Sequence, residues 1–203
     1  MKLLPRIAAL ALAALLACSA QAHVVIYEAT LSGPAEAPPN ASPGTGFATI
    51  TFDLDLVTMR VVANFSGLTG NVTAAHIHAP TAVAGTGTAG VASQTPSFTS
   101  FPTGVISGTY DHTFDMTAAP SYNASFITAN GGTVSGAMNA LIAALDAGKA
   151  YLNIHSSAFP GGEIRGFLAV SAIPEPSSVA LCLGGAALGV AMVIRRRRTK
   201  ATV

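Results

Sequence analysis

The 203-residue sequence has no tryptophan, only two cysteines, and charged side chains at just 9% of its positions. Both cysteines, Cys18 and Cys182, sit in apolar runs near the two ends. The stretch between His23 and Ser171 therefore has no internal disulfide and must rest on hydrophobic burial. Cations are the scarcest feature of that stretch. Arg60, Lys149 and Arg165 stand against Glu28, Glu36, Asp53, Asp55, Asp111, Asp115, Asp146 and Glu163, a formal charge of −5, whereas the whole chain carries +1 because its ends are basic. An acidic surface of this kind repels phosphate backbones, which excludes nucleic acid as a partner. The sequence also lacks a nucleophile elbow, a phosphate loop, HExxH, CxxC and the dinucleotide glycine pattern, and no serine or threonine sits in a triad context. Without tryptophan, and with its other aromatics spread among strands, it offers no platform for sugar stacking.

The ends have a clear organisation. Lys2 and Arg6 precede an apolar run from Ile7 to Ala17, and Ala20-Gln21-Ala22 supplies the small residues a signal peptidase needs. Residues 1–22 are thus a signal peptide, and the mature chain starts at His23. A competing reading takes Leu15-Leu16-Ala17-Cys18 as a lipoprotein box with a lipidated Cys18. At the other end, Pro174 and Pro176 keep residues 172–178 extended around Glu175 and open to a processing enzyme. The eighteen residues 177–194 carry no charge, close to the minimum for a hydrocarbon core of roughly 30 Å at about 1.5 Å per residue. The expected transmembrane helix spans 179–194. Arg195 to Arg198 hold its end in the cytoplasm within the basic tail 195–203, leaving the rest of the chain on the far side.

Pro-Glu-Pro, a short apolar helix and an arginine cluster, in that order, resemble the PEP-CTERM sorting signal of Gram-negative bacteria. The resemblance implies cutting near Pro174-Glu175-Pro176 by an exosortase-type membrane peptidase, export across the inner membrane through a single-pass intermediate, and release to the cell surface or beyond. An uncut single-pass anchor is the alternative.

Residues 23–171 read as one domain. Val24 to Leu31, Phe47 to Leu56, Met59 to Phe65, Ala75 to Ala79, Val105 to Phe114, Ala150 to His155 and Glu163 to Val170 alternate or run apolar with β-branched and aromatic residues, the pattern of strands. Gly33-Pro34, Pro38-Pro39-Asn40, Pro43-Gly44, Gly67 to Asn71 and Pro160-Gly161-Gly162 mark turns between them. Only Ala137 to Ala147 has helical spacing, with Gly148 as its stop. The Gly/Thr/Ala/Ser-rich stretch from Thr81 to Thr103 has no period and reads as a long connection. The fold expected is an all-β, antiparallel Greek-key sandwich with one short helix, flanked by the signal and transmembrane helices.

This domain resembles the CHRD domain, the module named after the repeats of chordin and common in exported bacterial proteins. The resemblance covers Tyr27 to Leu168. Its marks are Leu31-Ser32-Gly33 with Glu36-Ala37-Pro38-Pro39, Gly46-Phe47-Ala48, Gly67-Leu68, Ala75-His76-Ile77-His78, Gly148 to His155, and Gly161-Gly162-Glu163-Ile164-Arg165-Gly166. The family carries little biochemistry with it, so the site must be argued from residues.

In a strand, residues two apart share a face, so His76 and His78 present two imidazoles side by side, and His155 pairs with Asn153 in the same way on another strand. Converging, His76, His78 and His155 could hold copper or zinc; the bland alternative is three hydrogen-bonded histidines at a sheet rim. A more distant similarity points the same way. Gly67-Leu68-Thr69, His76-Ile77-His78, Ile154-His155, Gly161-Gly162 and Arg165 follow the order of the copper/zinc superoxide dismutase sandwich, which implies copper on the three histidines and Arg165 as an anion guide. The metal-bridging histidine, zinc ligands and disulfide of that family are absent.

Glu163 and Arg165, also two apart, can pair with each other or across the sheet as a rim salt bridge that organises the Pro160-Gly161-Gly162 turn. Asp53 and Asp55 alternate with Phe52, Leu54 and Leu56 and read as solubilising, and His23, once N-terminal, could chelate copper with its own amine. Asn40, Asn64, Asn71 and Asn123 open sequons that matter only in a glycosylating host. Two functions remain: a non-enzymatic cell-surface or matrix component associated with exopolysaccharide or biofilm, and a copper-binding redox protein or metal carrier.

Overall fold

The computed structural model describes residues 23–171. The expected signal peptide at residues 1–22, the Pro174-Glu175-Pro176 linker, the apolar segment 179–194 and the basic tail, with Cys18 and Cys182, lie outside the described residues. No helix among the described residues is long and apolar enough to cross a membrane.

Eight strands form one antiparallel sheet: β1 (Val24–Ser32), β2 (Thr45–Asp53), β3 (Thr58–Ser66), β4 (Val72–His78), β5 (Gly108–Asp115), β6 (Tyr151–Ser156), β7 (Ile164–Phe167) and β8 (Ala169–Val170). Their spatial order is β4-β6-β7-β1-β2-β3-β5, with β8 added to β1. The sheet is curled into a half-barrel. At one end the segment leading into β5 reaches β4, where Val72 N–H donates to the Val105 carbonyl and Gly104 N–H to the Val72 carbonyl, while Leu68 N–H donates to the Ile106 carbonyl just past the ends of β3 and β5.

Alternation sets the inner face. Tyr27, Ala29 and Leu31 of β1, Ala48, Ile50 and Phe52 of β2, Met59, Val61, Ala63 and Phe65 of β3 and Tyr110 and Phe114 of β5 are buried in one core. The tight β2–β3 hairpin is held by Asp53, whose Oδ1 accepts from the N–H groups of Asp55 and Leu56, with Val57 in the left-handed region at φ 54°. Asp53 thus shapes this turn as well as solvating it.

Helix α1 (Ala124–Ala129) and helix α2 (Val134–Asp146) follow β5. The expected helix is α2, capped by Thr133, whose side chain accepts from Gly136 N–H; Ala137, Leu141, Ala144 and Leu145 face the core. The Tyr27 hydroxyl donates to Asp146 at its end (2.6 Å), tying α2 to β1. The additional α1 is capped by Asn123, and its six residues are too few to show a helical period in the sequence.

On β4, β6 and β7 the outer face is buried too. Ala75, Ile77, Leu152, Ile154 and Ile164 enter the core, while His76, His78, Tyr151, Asn153 and Arg165 are buried on the opposite side. Residues 33–42 and the connection 79–104 lie over that side. The connection has no strand of its own, only isolated bridges, and it is pinned by Ala92 N–H to the Ile77 carbonyl, Phe98 N–H to Ala75 and Thr81 N–H to Lys149.

Candidate metal centre

Antiparallel register sets His76 opposite Asn153, His78 opposite Tyr151 and Ala74 opposite His155. Positions two apart on each strand then gather three imidazoles on the outer face. The His76 and His155 ring centroids are 4.9 Å apart, those of His76 and His78 5.5 Å, and those of His78 and His155 5.7 Å.

Each ring is held by a backbone carbonyl. His76 Nε2 meets the Pro96 carbonyl at 2.6 Å, His78 Nδ1 the Ala89 carbonyl at 2.9 Å, and His155 Nδ1 the Pro160 carbonyl at 2.9 Å. A carbonyl oxygen only accepts, so the nitrogen facing it carries the proton and the other nitrogen of a neutral ring keeps a bare lone pair. Those other nitrogens, His76 Nδ1, His78 Nε2 and His155 Nε2, are buried and have no hydrogen-bond partner. One nitrogen from each ring lies within 4.8 Å of the other two.

Buried polar atoms are normally satisfied, and three unpartnered lone pairs on neighbouring rings are a donor set that a cation could satisfy. Burial holds all three histidines below their ordinary pKa, and His78 is pushed down to about 4, so the rings are neutral and ready to ligate at neutral pH. Imidazole donors suit copper and zinc, and carbonyl partners that fix the tautomer are the usual support of metal-binding histidines. His155 is partly exposed as a residue, although its unpartnered Nε2 is buried with the other two.

Tyr151 lies flat against His78, with ring centroids 4.9 Å apart and planes 1° from parallel, and its hydroxyl accepts from Ala89 N–H. The residue that orients His78 through its carbonyl thus also anchors the ring stacked on it. The Arg165 guanidinium sits 4.7 Å from the Tyr151 centroid.

Glu163 and Arg165 take different partners. Gly162, at φ 132°, turns the chain just before Glu163, which precedes β7 and is fully buried. Its carboxylate accepts from Ser42 Oγ (2.6 Å), Gly70 N–H (3.2 Å) and Thr69 N–H. Burial pushes this carboxyl up, but hydrogen bonding from Ser156 and Ser42 and from the Thr69 and Gly70 amides more than reverses that and holds it below the usual range. Arg165 donates to the Ala35 and Gly87 carbonyls and lies 3.7 Å from Glu36, with 3% of its surface exposed. A guanidinium so enclosed does not steer anions in from solvent.

Glu36, not singled out from the sequence, is buried beside it. Burial raises its carboxyl to about 7 against the pull of Arg165, and Oε1 has no partner. His112 packs between Tyr110 and Phe114 on β5 and is not among the gathered histidines, while His23 lies in the open with its ring 3.2 Å from Asp55.

No curated protein and no solved structure compared with this chain matches it. The family model for the CHRD domain matches residues 27–168, from the middle of β1 to the residue after β7, and so takes in both histidine strands and the buried Glu36, Glu163 and Arg165. The chain belongs to the CHRD family.

Proposed function

We propose that residues 23–171 form an exported metal-binding domain that holds one copper or zinc ion on His76, His78 and His155. Three buried, unpartnered ring nitrogens carry this reading, on imidazoles that each offer one nitrogen within 4.8 Å of the other two and that are each held by a backbone carbonyl. Three protein donors leave a further coordination position for water or an outside ligand, as a carrier or redox protein requires. The similarity of residue order to copper/zinc superoxide dismutase supports copper, without the anion guide that order implied. The test is metal analysis of the purified chain. One equivalent of copper or zinc is expected, lost in His76→Ala and His155→Ala, with metal raising the melting temperature of the unaltered protein alone. A chain that stays metal-free after exposure to both ions contradicts the reading.

CHRD membership fits a secreted or extracellular protein. The order of Pro174-Glu175-Pro176, the apolar segment and Arg195 to Arg198 supports delivery by a PEP-CTERM signal to the cell surface, with an exopolysaccharide or biofilm setting. Mass spectrometry of exported material tests this: a C-terminus near Glu175 is expected, whereas mature protein that retains Arg195 to Arg198 is a permanent anchor.

A further inference from the structure

The three histidines are neutral donors, and among the described residues no carboxylate or thiolate joins their cluster. The buried carboxylates are engaged elsewhere, Glu163 by Ser42, Thr69 and Gly70, and Glu36 beside Arg165. The charge of a captured ion is therefore not cancelled by its ligands. His76 and His78 are only 8% and 9% exposed, so water screens that charge poorly. Two further charges bear on the site: Glu36, 3.7 Å from Arg165 and with its carboxyl raised to about 7 so that it offsets the guanidinium only in part, and Arg165 itself. Arg165, always protonated, rests on Tyr151, and Tyr151 lies flat on His78, so a fixed buried cation stands one aromatic ring away from a ligand.

The cost of burying an ion grows with the square of its charge, so a divalent ion costs about four times as much to desolvate as a monovalent one. Repulsion from Arg165 is doubled as well. Coordination number points the same way, because zinc favours four tetrahedral ligands and the histidines supply three, each pinned at its far nitrogen. Copper alone among the ions that imidazole suits has an accessible monovalent state, and that state accepts three nitrogen donors.

We infer, on the reading that this is a metal site, that it is tuned for monovalent copper over divalent ions, and that Arg165, acting through Tyr151, is the positioning residue that sets the preference.

The experiment uses the full chain purified in detergent micelles under anaerobic conditions. It is titrated separately with Cu(I) under ascorbate against a competing chelator, with Cu(II), and with Zn(II). The expected result is one equivalent of Cu(I), bound at least 100-fold more tightly than Zn(II), with the bound copper couple at a higher potential than aqueous copper. In Arg165→Gln, Cu(II) affinity rises about tenfold relative to Cu(I) and the potential falls, whereas Arg165→Lys keeps the charge and the original ratio. Zn(II) binding as tight as Cu(I), or an unchanged Cu(II)/Cu(I) ratio in Arg165→Gln, overturns the inference while leaving the metal site intact. Failure of all three ions to bind stoichiometrically removes the site itself. Where Arg165→Gln does not fold, the comparison of ions on the unaltered chain decides the matter alone.

Discussion

Glu163→Gln tests how this cysteine-free domain holds its loops together. The carboxylate is fully buried and accepts from Ser42 in the loop before β2 and from Thr69 and Gly70 in the turn after β3. Glutamine keeps the shape but replaces one acceptor oxygen with an NH2 group. Placed at Oε2 it faces Gly70 N–H, donor against donor; placed at Oε1 it faces Ser42 and Thr69. One hydrogen bond to a charged acceptor, about 1.5–3 kcal/mol, is lost, and the others weaken to neutral strength. The total is about 3–5 kcal/mol. For a domain of this size each kcal/mol moves the melting temperature by about 2–4 °C, so a fall on the order of 10 °C is expected by thermal circular dichroism, with a lower urea midpoint. Because the folded pKa of Glu163 is depressed, the unaltered protein should lose this stabilisation as pH falls through that pKa, and the variant should not. A loss below about 1 kcal/mol would refute the reasoning, since it would mean that water already supplies the acceptor.

Glu36→Gln should act in the opposite sense with pH. The carboxyl binds its proton more tightly in the fold, about 7 against 4.5, so stability falls as pH rises through that window by up to about 3 kcal/mol, and urea titrations of the variant should lack this slope. Gly166→Ala should destabilise by at least about 2 kcal/mol, because a β-carbon there runs into the Thr30 carbonyl between β7 and β1; a melting temperature within a degree of the original would count against this register. Because burial lowers all three histidine pKa values, protons should displace the metal only at a lower pH than they would from ordinary imidazole, with a pKa of about 6.5; dialysis against a descending pH series followed by metal analysis checks it.

Most of the fold could be read from alternation and turn residues. The expected strands at Val24, Met59, Ala75 and Ala150 begin within a few residues of β1, β3, β4 and β6, and Gly148 follows the end of the core helix, which starts at Val134, ahead of the expected Ala137 because Thr133 caps it. The pairing of His76 and His78 on one face followed from the two-residue period. Their meeting with His155 did not, because it depends on which strands are neighbours, and β4 lies beside β6 after a connection of more than seventy residues. The carbonyls of Ala89, Pro96 and Pro160 that fix the tautomers had no signal either, since a backbone oxygen carries no residue identity. The Glu163 and Arg165 arrangement turned on Gly162, whose φ of 132° places Glu163 outside β7 among loops distant in sequence. Glu36 sits in a proline-flanked loop where a carboxylate is ordinarily solvated, and only the folded chain shows it enclosed beside Arg165.

The X-ray absorption spectrum of the copper-loaded chain reads the donors of the His76, His78 and His155 cluster directly. Three nitrogen donors at about 2.0 Å with the multiple-scattering pattern of imidazole are expected, reduced to two in His155→Ala. Sulfur in the shell, oxygen donors without imidazole, or a spectrum unchanged in His155→Ala would contradict the three-histidine site.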